Sequence, residues 1–239
     1  MVSLLLSNND IKRELIKRKN IGIHPLMTEN IKGSSINLTA SSHAWDVESQ
    51  KSVVNGKKIN IVANSTVAIF TREAVWVSRR IGGTYHPRVS LVAKGLSNIS
   101  TTLDPQWYGL SLVTITNNSK KNIDIRVGEA FVSVMFYYLK TPATKGIIDN
   151  QASRPDLYSK FVLTDADEEF LGEQWHRNYH GIMENMKNSS SYKYLLKDKN
   201  KFRRGISDFF NHNFISVLIG GILVLITQII LSHFGFLNK

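Results

Sequence analysis

Residues 59–71 read INIVANSTVAIFT: two short runs of β-branched and apolar residues parted by Asn64 and Ser65. Val, Ile, Thr and Phe fit a pleated, half-buried surface, and the polar pair between them marks a turn. The same texture recurs outward from this stretch, in residues 110–116 (LSLVTIT) and 131–139 (FVSVMFYYL). Asn117-Asn118-Ser119-Lys120-Lys121-Asn122 and Val127-Gly128-Glu129 punctuate it. From Ser34 to about Leu139 no helical pattern intervenes, so the centre of the chain is predicted to be a β-sandwich or barrel.

Helices are expected on either side. Ser7 precedes Asp10 by three residues, as in a capping box, and opens a helix whose apolar face carries Ile11, Leu15 and Ile16. Lys12, Arg13, Lys17, Arg18 and Lys19 occupy the rest, and Gly22 and Pro25 end it. After Pro155 the pattern turns helical again, acidic over Asp165–Glu169 and amphipathic over Trp175–Met186. Asn188-Ser189-Ser190-Ser191 reads as a flexible break.

Residues 214–234, FISVLIGGILVLITQIILSHF, hold no charged side chain. About twenty residues at about 1.5 Å rise match the bilayer's hydrocarbon core, which predicts a transmembrane helix over 213–236. Lys193, Lys197, Lys199, Lys201, Arg203 and Arg204 precede it and only Lys239 follows. That asymmetry predicts a single pass with the N-terminal domain in the cytoplasm. The basic run over 191–212 is also suited to anionic membrane lipid. Ser216, Gly220 and Gln228 are residue types that favour contact between helices in lipid.

The chain has 239 residues and a formal net charge of +11, with 42% hydrophobic residues and no cysteine. Those values allow one domain plus an extension. Without cysteine, disulfides, thiolate metal sites and zinc deaminase chemistry are excluded. The positive charge concentrates in the first helix and before the apolar run, with no nucleic-acid-binding motif, so no nucleic-acid partner is expected.

Several motifs then occur in order. LLLSNNDIKRELIKRKNIGIHPL (residues 4–26), IKGSSINL (31–38), HPRVSLVAKGL (86–96), LDPQWYG (103–109) and VGEAF (127–131) resemble dCTP deaminases and the related dUTPases over roughly residues 3–142. This resemblance implies a mainly β chain with a dUTPase-like distorted β-barrel over 1–145; the helical pattern beyond it marks a helical extension over 146–190, where the resemblance no longer holds. The resemblance also implies a homotrimer with pyrimidine nucleotide sites between subunits. Carried over, Arg88, Ser90 and Lys94 would contact phosphate. Thr101, Thr102 and Asp104 would line the base, and Trp107 would pack behind it. Each has a plainer role too: Arg88 in an intersubunit ion pair, Asp104 as a turn residue, Trp107 in the core.

The departures fall on the chemistry. Metal-free deamination needs a carboxylate to shuttle a proton between attacking water and leaving ammonia. The resemblance places that glutamate at Thr114, an alcohol. The motif serine is Val89, the second loop arginine Ala93 and the S-x-D-L aspartate Asn37. Two readings follow. One is a catalytically degenerate, membrane-anchored nucleotide sensor and effector, with antiviral defence as its setting. The other is an active deaminase or dUTP diphosphatase using Asp104, with His86 as substitute base and Mg²⁺ on the triphosphate. A third reading, a scaffold presenting the Asp165–Met186 helices to a partner, is plainer still. His176 and His180 stand four apart without a third ligand and are predicted to lie on a solvated helix face.

Overall fold

The computed structural model describes residues 4–98, 101–145, 154–198 and 223–229. It divides into two compact units, Met1–Lys193 and Tyr194–Lys239. In chain order the first contains β1 (Leu4–Leu5), α1 (Asn8–Lys17), β2 (Ile21–His24), β3 (Ile36–Asp46), β4 (Val54–Asn55), β5 (Lys58–Ile61), β6 (Thr66–Val77) and β7 (Ile81–Pro87). Then come α2 (Val89–Val92), β8 (Leu96–Ser97), β9 (Thr102–Leu103), β10 (Tyr108–Asn117), β11 (Ile123–Arg126) and β12 (Ala130–Tyr138). The extension supplies α3 (Pro155–Tyr158), α4 (Asp165–Gly172) and α5 (Tyr179–Asn188).

The predicted strands form, and they form by pattern. β6 buries Val67, Ile69 and Val75 on one face and Phe70 and Ala74 on the other. A strand buried on both faces reads as continuous apolar sequence rather than strict alternation. The main sheet runs β8-β10-β6-β3-β12-β7-β9, with β1 on β12 and β2 on β6. Its end strands β8 and β9 do not pair with each other among the described residues, so the sheet is a curled half-barrel rather than a closed barrel. A second sheet runs β11-β5-β4. The β10–β6 ladder is irregular between Leu110 and Leu112, opposite the stretch from Ala74 to Phe70. At this offset Ser111 N donates to Thr71 Oγ1 at 3.0 Å.

The capping box forms at α1. Ser7 Oγ accepts from Asp10 N at 3.2 Å, and Asp10 accepts from Ser7 N at 3.1 Å. A second box starts α4, where Thr164 and Asp167 exchange the same bonds. The helical extension lies on the outer face of β3, β6 and β10: Leu171 and Ile182 join Trp45, Phe70, Ala74 and Leu110 in one apolar cluster. Gly181 is needed there, because the Trp175 backbone lies where a Cβ would stand. His176 is fully buried, with Nε2 at 2.8 Å from Phe170 O. The predicted solvated pair is thereby corrected: His176 is used in packing, and only His180 is exposed. The polar break is also a capped helix end rather than a slack joint. Ser189 Oγ donates to Met186 O at 2.7 Å and accepts from Tyr192 N at 3.2 Å.

The predicted transmembrane segment lies mostly outside the described residues, as do residues 199–212 of the basic run. Within it, residues 223–229 are helical, with Leu223, Val224, Leu225, Ile226 and Ile229 exposed. Among the described residues no helix is long and apolar enough to cross a membrane.

One buried acid links strands. Glu73 is 3% exposed and accepts from Thr39 N at 2.8 Å and Thr39 Oγ1 at 2.7 Å. Burial raises its carboxyl pKa, outweighing these bonds. A raised folded-state pKa favours the protonated form, so its stabilising contribution is present below the ordinary glutamate value of 4.5 and is lost as pH rises through the folded value. Glu73→Gln should therefore flatten the fall of the denaturation midpoint over that window. An unchanged pH slope in the variant would remove Glu73 from this role.

Candidate functional site

β7 organises the predicted site residues. It pairs with β12 along its whole length, from Ile81↔Tyr138 to Pro87↔Val132. β9 pairs near its start, Leu103 opposite Gly83 and Thr102 opposite Thr84, and Tyr85 N donates to Thr101 O at 2.9 Å. Asp104 follows directly and is exposed; its carbonyl accepts from Trp107 N at 3.1 Å, a turn. At the far end Pro87 stops the strand and Arg88 begins the short α2, with Ser90 and Lys94 exposed.

Asp104 and Arg88 consequently lie at opposite ends of β7, with Thr101 and Thr102 beside the middle of the strand. Asp104 follows the residue facing Gly83, and six strand residues at about 3.3 Å each put Arg88 roughly 20 Å away. One chain therefore does not bring Arg88 together with Asp104.

The Arg88 end is cationic. Arg88 Nη1 donates to Ala130 O at 2.7 Å, which fixes the guanidinium and leaves its other N–H groups. Lys94, Lys58 and Arg126 line a cavity of about 680 Å³ together with Asp124, Glu129 and the turn at Gly128. Lys58 lies 3.0 Å from Asp124 Oδ2. The Asn60 amide first, and Lys58 next, hold the Asp124 carboxyl below its usual pKa. Lys94 and Arg126 make no ion pair among the described residues, leaving two free cations. Gly128 has φ +83°, and Arg72 Nη1 would lie 3.3 Å from a Cβ there. Lys58, Arg72 and Arg126 escaped the sequence reading because they come from separate strands with no motif spacing.

At the other face, Thr114 is exposed on β10, opposite Ala68 of β6. His86 is on β7, which β6, β3 and β12 separate from β10 in the sheet. Its Nε2 lies 2.8 Å from Thr84 Oγ1. Trp107 is 8% exposed and Nε1 has no hydrogen-bond partner among the described residues, so the ring is core. Asn37 is likewise buried and accepts from Ser133 Oγ at 2.7 Å, joining β3 to β12. Tyr85 OH lies 2.6 Å from Ser111 Oγ, and burial pushes the phenol well above its usual pKa, which unsuits it as a base at neutral pH. Among the described residues no group of three or more His, Asp or Glu is placed to hold a metal.

No family model matches the chain. It is similar to the dCTP deaminase of Thermococcus kodakarensis, 27% identical over 134 residues that cover 53% of this chain and 81% of that protein. It is also similar to the dCTP deaminase of Pyrococcus abyssi, 28% identical over 144 residues that cover 60% of this chain and 94% of that protein. Among solved structures it is similar to the 2'-deoxycytidine 5'-triphosphate deaminase from Agrobacterium tumefaciens, with TM-score 0.49 and 12% identity, over 58% of this chain and 49% of that one. The sequence relatives support a dCTP deaminase-like reading of this chain.

Proposed function

We propose that the protein is a dCTP deaminase-like pyrimidine nucleotide-binding module without turnover, held at a membrane by its C-terminal segment. The observation that carries this reading is Thr114. It occupies the exposed β10 position where the resemblance calls for a proton-shuttling carboxylate. A hydroxyl cannot take a proton from water at neutral pH.

The separation of Arg88 from Asp104 supports a site shared between copies. One copy supplies the phosphate-binding Arg88, Ser90 and Lys94; a neighbour supplies Thr101, Thr102 and Asp104, in a homotrimer. Ligand binding then sets how subunits meet and how their tails associate. In a cell, viral disturbance of nucleotide pools is the kind of signal such a sensor reads. The uncharged run and its exposed apolar helix at 223–229 support the anchor.

Calorimetry of the full chain in detergent should show saturable binding of dCTP, dUTP or dTTP, weakened about tenfold or more by Arg88→Ala with Lys94→Ala. No ammonia or pyrophosphate should be released. Failure to bind any of these nucleotides overturns the reading; so does ammonia release from dCTP that vanishes in Asp104→Asn. Alkaline carbonate should leave the full chain with the membrane pellet, and its recovery in the supernatant would count against the anchor.

A further inference from the structure

The groove between α1 and α5 is unused by this reading. It has a volume of about 430 Å³. Lys17 and Arg18 line it from the end of α1, and Lys187 from the last turn of α5. Tyr179 and His180 line it from the start of α5, and Glu184 is its carboxylate. Three cations thus face one acid.

Their partners do not account for them. Lys17 Nζ is 3.6 Å from Glu14 Oε1, but Glu14 is buried and already accepts from Asn20 Nδ2 at 2.6 Å, while the Lys17 side chain stays 51% exposed. Arg18 and Lys187 make no ion pair among the described residues. The helix dipole favours one cation at each C-terminus but not three around one depression, where like charges repel. Arg18 also sits at φ 55°, where its backbone N–H closes α1 on Glu14 O at 2.9 Å. Glycine or asparagine takes that conformation at less cost. The chain thus carries a long cation where a small residue would fold better. Tyr179 adds a ring, tilted against Trp76 at a centroid distance of 4.4 Å.

We propose that this groove binds a phosphate-bearing anion, with Lys17, Arg18 and Lys187 as its cations. The anion is either a free phosphate compound or the headgroup of an anionic lipid. A guanidinium takes phosphate in a two-pronged grip, and the two ammonium groups act as point charges beside it. The site stands apart from Arg88 and Lys94 and does not depend on nucleotide binding there.

Pyrophosphate is the free probe. With Arg88→Ala and Lys94→Ala as background, titration of the full chain in detergent should slow hydrogen exchange in residues 12–19 and 179–188. In nanodiscs, replacing part of the phosphatidylcholine by phosphatidylserine should do the same if the headgroup is the ligand. Arg18→Gly separates function from folding: relief of the left-handed backbone leaves the melting temperature equal or higher, while protection weakens about tenfold in probe concentration. Protection by pyrophosphate alone assigns a free ligand, and protection by phosphatidylserine alone assigns lipid. No protection from either, or protection that Arg18→Gly with Lys187→Glu leaves intact, overturns the proposal.

Discussion

Asp167→Ala should lower the stability of the Met1–Lys193 unit by about 3 kcal/mol, because the loss leaves buried donors without an acceptor. Asp167 is 5% exposed and its carboxylate serves three groups. Oδ2 accepts from Thr164 N at 2.9 Å and Thr164 Oγ1 at 2.7 Å, which caps α4. Oδ1 lies 2.6 Å from His43 Nδ1 on β3. A carboxylate accepts only, so Nδ1 carries the proton in this bond. Phe170 stacks on the imidazole with centroids 4.1 Å apart and planes 8° off parallel, which closes that side of the ring. Alanine removes the Asp167 half of the capping box, while Thr164 Oγ1 still accepts from the backbone N–H of residue 167, and leaves the imidazole N–H buried and unpaired. At about 2–4 °C per kcal/mol for a unit of this size, the melting temperature should fall by roughly 6–12 °C. Asp167→Asn keeps the shape but offers one acceptor oxygen, so it should fall between wild type and Asp167→Ala. An Asp167→Ala protein that melts within about 2 °C of wild type would show the contact to be incidental.

The strands were legible because each is fixed by its own neighbours in sequence. Residues 110–116 lie within β10 and residues 131–139 map onto β12 because β-branched and aromatic runs have few other places to go. The Ser7 capping box was legible for the same reason, being a three-residue pattern. The contacts of β3 with the extension were not. His43 and Asp167 are 124 positions apart, and neither stands in a motif. His176 is not on the expected helix with His180: it ends a 3-10 turn at Gln174–His176, and α5 starts afresh at Tyr179 with Asn178 as its cap, a break that a four-residue spacing does not reveal. The site divides in the same way. Arg88, Lys94 and Asp104 were found by motif, whereas Lys58 and Arg126 become neighbours only when β5 and β11 pair. That Arg88 and Asp104 occupy opposite ends of β7 follows from register, which no spacing in the sequence encodes.

Trp45→Ala should cost about 3–5 kcal/mol, the range for deleting a buried aromatic from a packed core. Trp45 is fully buried on β3 and its surroundings come from the sheet and from the extension. Phe161 stacks on it with centroids 5.1 Å apart and planes 2° off parallel, and Phe70 meets it edge-on at 6.1 Å. Its Nε1 donates to Val162 O at 3.2 Å, while Val162 N donates to Gln50 O at 2.9 Å. The indole therefore binds residues 158–163 to the sheet by area and by hydrogen bond together. Its loss should release the extension before the sheet melts, so limited proteolysis should cut within residues 154–188 while the strands survive. Trp45→Phe keeps a ring for Phe161 but strands the Val162 carbonyl, and should cost about 1–3 kcal/mol. Because Trp45 and Asp167 hold the same extension to the same strand, their effects should not add. Once one has freed the segment, the other has less left to lose, and the double variant should be more stable than the sum of single losses by about 0.5 kcal/mol or more. Simple additivity, with no early cleavage in residues 154–188, would mean that α3 and α4 hold to the sheet independently.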